Sequence, residues 1–151
     1  TIIAPTVFLT VYFWTIPYSN GHGIDQNLTA ARQYLLEAAE QGNPAAQNSL
    51  GKMYEIGQGV EQNYSEAVKW YQKAAEQGDA EAQNSLGTMC RSGLGTEQDF
   101  NEAMNWFRKS AEQGNPEAER NIGGMYLSGL GVEKKAEEGM RWIRKAEEDD
   151  K

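Results

Sequence analysis

The sequence repeats itself with a period of 36 residues. Residues 43–78, NPAAQNSLGKMYEIGQGVEQNYSEAVKWYQKAAEQG, return almost unchanged as residues 79–114, and residues 115–150 form a more divergent third copy. Individual positions keep the same spacing, as the tryptophans at 70, 106 and 142 illustrate. A fixed period of this length is typical of stacked-repeat proteins, in which each module packs only against its neighbours. The period therefore constrains the fold more than any other feature of the chain.

Each copy carries the start and stop signals of two helices. The residues expected to cap the first helix, helix A, are Asn43, Asp79 and Asn115. Pro44 follows at the first helical position, where its missing N–H costs nothing. A Gly-x-Gly turn leads to helix B, which opens with a predicted capping box, Asn63 with Glu66 in the first copy, and ends at a third glycine. We therefore predict an all-α fold, a solenoid of antiparallel helix pairs with 36-residue repeats.

The first 18 residues, TIIAPTVFLTVYFWTIPY, differ from the repeats because they are uncharged, apolar and rich in β-branched and aromatic residues. One interpretation is the hydrophobic part of an export signal or a membrane anchor, although two prolines interrupt it. The other is a capping element, because the repeat register continues back to at least Gly21 and would place Trp14 at the position of Leu50. The first interpretation predicts an exported or periplasmic protein, and the second a cytoplasmic one.

Charge and composition restrict the partners. The formal net charge is −8, and nucleic acids are bound through clustered Lys and Arg, so we predict no nucleic-acid partner and favour cations or basic protein segments. Cys90 is the only cysteine, which excludes an intramolecular disulfide, and it replaces a tyrosine of the sister repeats as a predicted core residue. His22 is the only histidine and has no second ligand beside it, so we predict neither a metal nor a cofactor.

An enzyme is the alternative from a different functional class. Ser49 and Lys52 have the S-x-x-K spacing of nucleophile and base in penicillin-binding enzymes. The sequence contains no K-T-G element, however, and the serine recurs as Ser85 without a lysine three residues later. Because the repeat itself explains Ser49, we predict that the chain is not an enzyme, with a cell-wall or β-lactam enzyme as the alternative.

The repeat resembles that of the Sel1-like repeat (SLR) family, close relatives of the tetratricopeptide (TPR-like) repeats. Residues 46–78 match its A-x-x-x-L-G-x-M-Y helix, its G-x-G-V turn and its E-A-x-x-W-Y-x-K-A-A-x-x-G helix. The departures from this pattern are Cys90, Thr96 and Phe107 in the second repeat and Lys135, Ala136, Gly139 and Ile143 in the third. The resemblance implies a right-handed α-α superhelix whose A helices line a concave groove for proteins or peptides. It also implies that export is common among bacterial members.

The side chains expected to face such a groove lie one helical turn away from the apolar stripe of each A helix. They are Asn48, Lys52 and Glu55 in the first repeat, Asn84, Thr88 and Arg91 in the second, and Arg120 in the third. Asparagine both donates and accepts hydrogen bonds, so Asn48 and Asn84 are predicted to fix the main chain of an extended peptide. The alternative is that they are solvated or form bonds between repeats. The three tryptophans are predicted to pack between repeats.

Taken together, these features predict a non-catalytic scaffold or adaptor that binds a peptide or protein segment in its groove. A purely structural repeat array is a further alternative, which self-association would indicate; otherwise a monomer is expected. Membrane contact is expected only through residues 1–18. The predicted divisions of the chain are an N-terminal segment (1–20), a half-repeat (21–42) and three repeats (43–78, 79–114 and 115–151).

Overall fold

Seven helices follow one another in the computed structural model, which describes residues 21–151 and the side chains from residue 30 onward. The helices are α1 (Gly21–Glu40), α2 (Pro44–Ile56), α3 (Tyr64–Glu76), α4 (Ala80–Ser92), α5 (Phe100–Glu112), α6 (Pro116–Ser128) and α7 (Ala136–Asp149). Each packs against the helix before it and the helix after it. Helices α2, α4 and α6 are the A helices, and the other four are B helices. The predicted all-α solenoid of helix pairs, an α-α superhelix, is confirmed.

The two interpretations of the N-terminal segment, and the comparison of Trp14 with Leu50, lie outside the described residues. Within residues 21–151, no helix is both long enough and apolar enough to cross a membrane. Helix α1 begins at Gly21, so the Gly-x-Gly pair of the half-repeat lies in a helix rather than in a turn. In the first full repeat, the turn is held by preceding helical carbonyls, because the N–H of Gly57 donates to the Met53 carbonyl at 2.9 Å.

The predicted caps of the A helices are confirmed. The Asn43 side chain accepts from the N–H of Ala46 at 3.0 Å, and the equivalent bonds of Asp79 and Asn115 are 2.8 and 3.3 Å. Each A helix ends at a left-handed glycine, Gly57 with φ 73° in the first repeat. Side-chain caps and glycine stops therefore fix the length of the A helices at 13 residues.

Only half of the predicted capping box forms at the start of helix B. The Asn63 side chain accepts from the Glu66 N–H at 3.1 Å, but the Glu66 carboxylate pairs with Lys69 instead of reaching back. The backbone N–H of Asn63 already donates to the Tyr54 carbonyl at 2.8 Å, so it needs no bond from Glu66. This bond holds the turn between the two helices of the repeat to the preceding A helix.

Close approach of helices A and B depends on the glycine in each A helix. A Cβ atom on Gly51 would lie 2.6 Å from the Tyr71 ring, and one on Gly87 would lie 2.7 Å from the Phe107 ring. Both rings are fully buried in the core between the helices. Trp106 and Trp142 pack against the core that contains these rings, and Trp70 packs against a second cluster that includes Ala39 of the preceding half-repeat, as predicted for packing between repeats.

Glutamine pairs, each with one buried and one exposed member, tie the first two A helices to the B helices on either side. Gln77 Nε2 donates to Gln47 Oε1 at 2.7 Å, and Gln47 Nε2 donates to the Ala39 carbonyl at 3.0 Å. The second repeat forms the same pair, with Gln113 donating to Gln83 at 2.9 Å. These side-chain bonds connect three consecutive helices and hold successive repeats together.

The third repeat replaces the glutamine pair with charged residues. Glu119 takes the place of Gln47 and Asp149 that of Gln77, and Lys145 contacts both carboxylates. Glu119 is fully buried, and its Oε2 has no hydrogen-bond partner. Helix α7 also lacks a side-chain cap at Lys135. The last repeat is therefore held by ion pairs where the first two use neutral bonds.

Candidate functional site

A groove of about 670 Å³ crosses the three A helices of the described chain. Five of the seven residues predicted from the sequence line it, namely Lys52, Glu55, Asn84, Thr88 and Arg120. Asn48 and Arg91 lie outside its lining. Glu81 and Glu117, from the first turns of α4 and α6, also line the groove, as does the turn from Gln113 to Asn115. The groove thus contains residues from three successive repeats.

Glu81 connects α4 to α2 at one end of the groove. Its Oε2 accepts hydrogen bonds from Lys52 Nζ at 2.8 Å and from Asn48 Nδ2 at 3.2 Å. The hydrogen bond and the charge of Lys52, helped by the amide of Asn48, hold the pKa of the Glu81 carboxyl below its ordinary value, whereas partial burial opposes this shift. Lys52 is therefore already neutralised by a carboxylate within the protein.

Asn121 connects α6 to α4 outside the groove lining. Its Nδ2 donates to Asn84 Oδ1 at 2.9 Å, and its Oδ1 accepts from Arg91 Nη1 at 2.9 Å. The hydroxyl of Thr88 donates to the Asn84 carbonyl of its own helix at 3.1 Å. Arg91 also lies over the Phe107 ring, with its guanidinium carbon 5.5 Å from the ring centre. The side chains of Asn84 and Arg91 thus join two repeats.

The two asparagines are engaged between the A helices in the structure. Asn48 and Asn84 are each only 6 % exposed. The amide of Asn48 is bonded to Glu81, its Oδ1 is buried without a partner, and the Oδ1 of Asn84 is bonded to Asn121. These contacts agree with the alternative interpretation of the sequence, in which the two asparagines form bonds between repeats. Contact of these asparagines with a ligand stays a prediction, and Lys52 and Arg120 offer far more exposed surface.

The remaining charged residues of the groove differ in how they are paired. Arg120 Nη1 lies 3.4 Å from Asp150 Oδ2. The Tyr71 hydroxyl donates to Glu55 Oε2 at 2.5 Å, and burial, followed by this hydrogen bond, raises the pKa of Tyr71 above its ordinary range. Neither Glu55 nor Glu117 forms an ion pair with a residue of the described chain. Two carboxylates of the groove are therefore left without a cation.

The S-x-x-K pair does not form a nucleophile–base contact in this structure. The hydroxyl of Ser49 donates to the Ala45 carbonyl one turn earlier at 2.8 Å, and Lys52 Nζ is bonded to Glu81. Nucleophilic catalysis requires the base within hydrogen-bond reach of the hydroxyl. Among the described residues, no group of three or more His, Cys, Asp or Glu side chains is placed to hold a metal ion.

The thiol of Cys90 is expected to be unreactive in the folded protein. Cys90 is 2 % exposed, and burial, assisted by the charges of Glu102 and Asp99, raises its pKa to about 11. Because the thiolate is the reactive form, we expect negligible alkylation by iodoacetamide at about pH 8 and full alkylation after denaturation. The buried neutral thiol also contributes stability that is lost as the pH rises from its ordinary pKa towards 11. Rapid alkylation of the native protein would contradict this burial.

Comparison with known proteins finds the same repeat in other chains. The family model described as Sel1 repeat matches residues 18–43, 44–79, 80–115 and 116–150. A protective antigen of uropathogenic Escherichia coli with an SLR fold is 38% identical, with a TM-score of 0.80 over 87% of this chain and 29% of that one. A Sel1 repeat protein from Oxalobacter formigenes is 39% identical, with a TM-score of 0.70 over 86% of this chain and 56% of that one.

A more distant structure has the same fold and a similar length. The cysteine-rich protein B of Helicobacter pylori is 20% identical, with a TM-score of 0.65 over 87% of this chain and 95% of that one. A comparison with curated protein sequences finds no match. The chain therefore spans less than two thirds of the Escherichia coli and Oxalobacter proteins but nearly all of the Helicobacter one.

Proposed function

Because the chain belongs to the Sel1 repeat family, we propose that it is a non-catalytic interaction module that holds an extended protein segment in the groove across α2, α4 and α6. Proteins of this family are helical repeat scaffolds that generally mediate protein–protein interaction. The groove residues named above supply the binding surface of this chain.

The observation that carries the proposal is the contrast between constant and variable positions of the A helices. The positions that pack the solenoid keep their character, as Leu50, Leu86 and Ile122 show. The groove position two residues later changes from Lys52 to Thr88 and then to glycine in the third repeat. Residues that differ in charge and size while the scaffold stays constant suit the recognition of one particular segment.

The proposal is tested by selecting ligands and then filling the groove. Peptides are selected from a random displayed library on the wild-type protein, and their dissociation constants are measured by fluorescence anisotropy. Thr88→Met places a longer uncharged side chain in the groove and removes only a hydroxyl bond within α4. We expect it to weaken the selected peptides by about tenfold, which corresponds to about 1.4 kcal/mol.

The matched control is Gln72→Met on α3, an exposed position whose side chain bonds only Glu76 of the same helix. It introduces the same residue away from the groove, and it is expected to leave affinity unchanged. Thermal unfolding of both variants checks that the repeats remain folded. Peptides that bind Thr88→Met as tightly as the wild-type protein would place recognition elsewhere on the surface and refute the groove assignment.

A further inference from the structure

We propose that the segment held in the groove carries two basic side chains, about seven or eight residues apart, which pair with Glu55 and Glu117. The inference rests on the proposed groove function and specifies its ligand. It follows from which charges of the groove are already paired, from how Glu55 is held, and from the separation of the two helix positions that the repeat geometry implies.

The groove cations already have partners in the protein. Lys52 pairs with Glu81 at 2.8 Å, and Arg120 pairs with Asp150 at 3.4 Å. An acidic ligand would have to displace one of these carboxylates before it could form an ion pair of its own. A basic ligand meets no such competition, because Glu55 and Glu117 form no ion pair within the described part of the chain.

The net charge of the whole chain also favours a positively charged ligand. With a formal net charge of −8, it attracts cationic segments over distances of about a Debye length, roughly 8 Å at physiological salt. Such long-range attraction is unspecific, and specificity depends on carboxylates held in defined positions. The structure provides one such position at Glu55.

Glu55 is held in place before any ligand arrives. Its Oε2 accepts the hydroxyl of Tyr71, whose ring is fully buried between α2 and α3. Its Oε1 receives no hydrogen bond from a residue of the described chain, so one oxygen remains for a ligand. A carboxylate fixed by a buried hydroxyl loses less conformational entropy on binding than a free surface glutamate. A charge-assisted bond to an Arg or Lys is the interaction that this oxygen can make.

The repeat geometry sets the spacing between the two basic residues. One A helix, α4, separates α2 from α6, so at about 8–10 Å per neighbouring helix the lateral distance is roughly 16–20 Å. Glu117 occupies the repeat position of Ala45, ten residues before Glu55, which adds roughly 15 Å along the helix axis at about 1.5 Å per residue. The resulting diagonal of roughly 22–25 Å corresponds to about seven or eight residues of extended chain at about 3.3 Å each.

The test uses labelled 12-residue peptides of Ser, Thr and Ala, measured by fluorescence anisotropy at physiological salt. One peptide carries two arginines seven residues apart, a second carries them two residues apart, and a third has glutamine at both places. We expect the first to bind most tightly. Glu55→Gln, which keeps an oxygen for Tyr71, and Glu117→Gln are each expected to weaken it by about two- to fivefold, as for a partly exposed ion pair.

The control variant is Glu97→Gln, in the turn between α4 and α5, which removes the same charge from an exposed residue outside the groove. It is expected to leave the affinity for the widely spaced peptide unchanged. If Glu97→Gln weakens binding equally, or if the peptides with arginines seven and two residues apart bind equally tightly, binding depends only on net charge. Either result would overturn the inference.

The experiments distinguish failure of the groove function from failure of the dibasic-ligand proposal. If library-selected peptides without basic residues bind and Thr88→Met weakens them, the groove function stands and the dibasic ligand is refuted. If neither the library nor the dibasic peptides yield a ligand that Thr88→Met weakens, the groove function falls, and the inference falls with it.

Discussion

Replacing Gly95 with alanine is expected to destabilise the solenoid by about 2–5 kcal/mol. Gly95 has φ +72°, and a Cβ atom there would lie 2.2 Å from the Tyr64 carbonyl oxygen and 2.7 Å from the Ser65 nitrogen. A left-handed conformation costs an L-residue about 1–2 kcal/mol, and forcing atoms into a packed site costs about 1–3 kcal/mol more. The obstructing atoms are backbone at the start of α3, so they move only if two repeats separate.

Urea denaturation followed by circular dichroism measures this loss, and Gly78→Ala is the matched control. Gly78 has φ +94°, but a Cβ atom there meets nothing within 4 Å. Gly78→Ala should therefore reduce stability only by the cost of the left-handed conformation, about 1–2 kcal/mol. Equal losses in the two variants would show that the contact between the Gly95 turn and α3 contributes nothing to stability.

Most of the fold could be predicted from the sequence because the repeat displays each signal three times. The N-caps at Asn43, Asp79 and Asn115 and the left-handed glycines that end the A helices depend on neighbouring backbone groups only. Local signals of this kind are visible in the sequence. The absence of the bond from Glu66 to the Asn63 N–H could not be predicted in this way, because that N–H donates to a carbonyl nine residues earlier, in helix α2.

The groove was predicted in part. Helical phase places Lys52, Thr88 and Arg120 along one groove, and all three line it, because phase fixes the direction in which a side chain leaves its helix. Phase does not identify the partner on the next repeat. Glu81 and Asn121, which join the A helices, were therefore missed, and for their partners Asn48 and Asn84 the sequence left both ligand contact and bonds between repeats open.

The glutamine pairs left a signal in the sequence that could have been found. Gln47 and Gln77 are spaced as Gln83 and Gln113 are, and each pair is hydrogen-bonded. In the third repeat both positions become acidic together, as Glu119 and Asp149. Joint replacement of two positions indicates contact between them, and the lysine that contacts both carboxylates supports this interpretation.

Replacing Gly87 with alanine is expected to destabilise the protein by about 1–3 kcal/mol, because the new methyl group would overlap a fully buried ring. Its Cβ would lie 2.7 Å from Phe107 Cε1 and 3.2 Å from the Ala103 carbonyl oxygen. The same substitution at Gly124 of α6 meets nothing within 4 Å, so it should stabilise by up to about 1 kcal/mol through helix propensity alone. Comparing their urea midpoints separates packing from propensity.

The contact with Phe107 can then be isolated with a double-mutant cycle. Phe107→Leu alone should destabilise by shrinking a fully buried side chain, but in the Gly87→Ala background it also relieves the overlap. We therefore expect the double variant to be more stable than the sum of the single losses predicts, by about 0.5–3 kcal/mol. Strict additivity would mean that the methyl group is accommodated by moving α4 rather than the ring. In that case the close approach of helices A and B would not depend on glycine, and Gly51 beside Tyr71 would tolerate alanine as well.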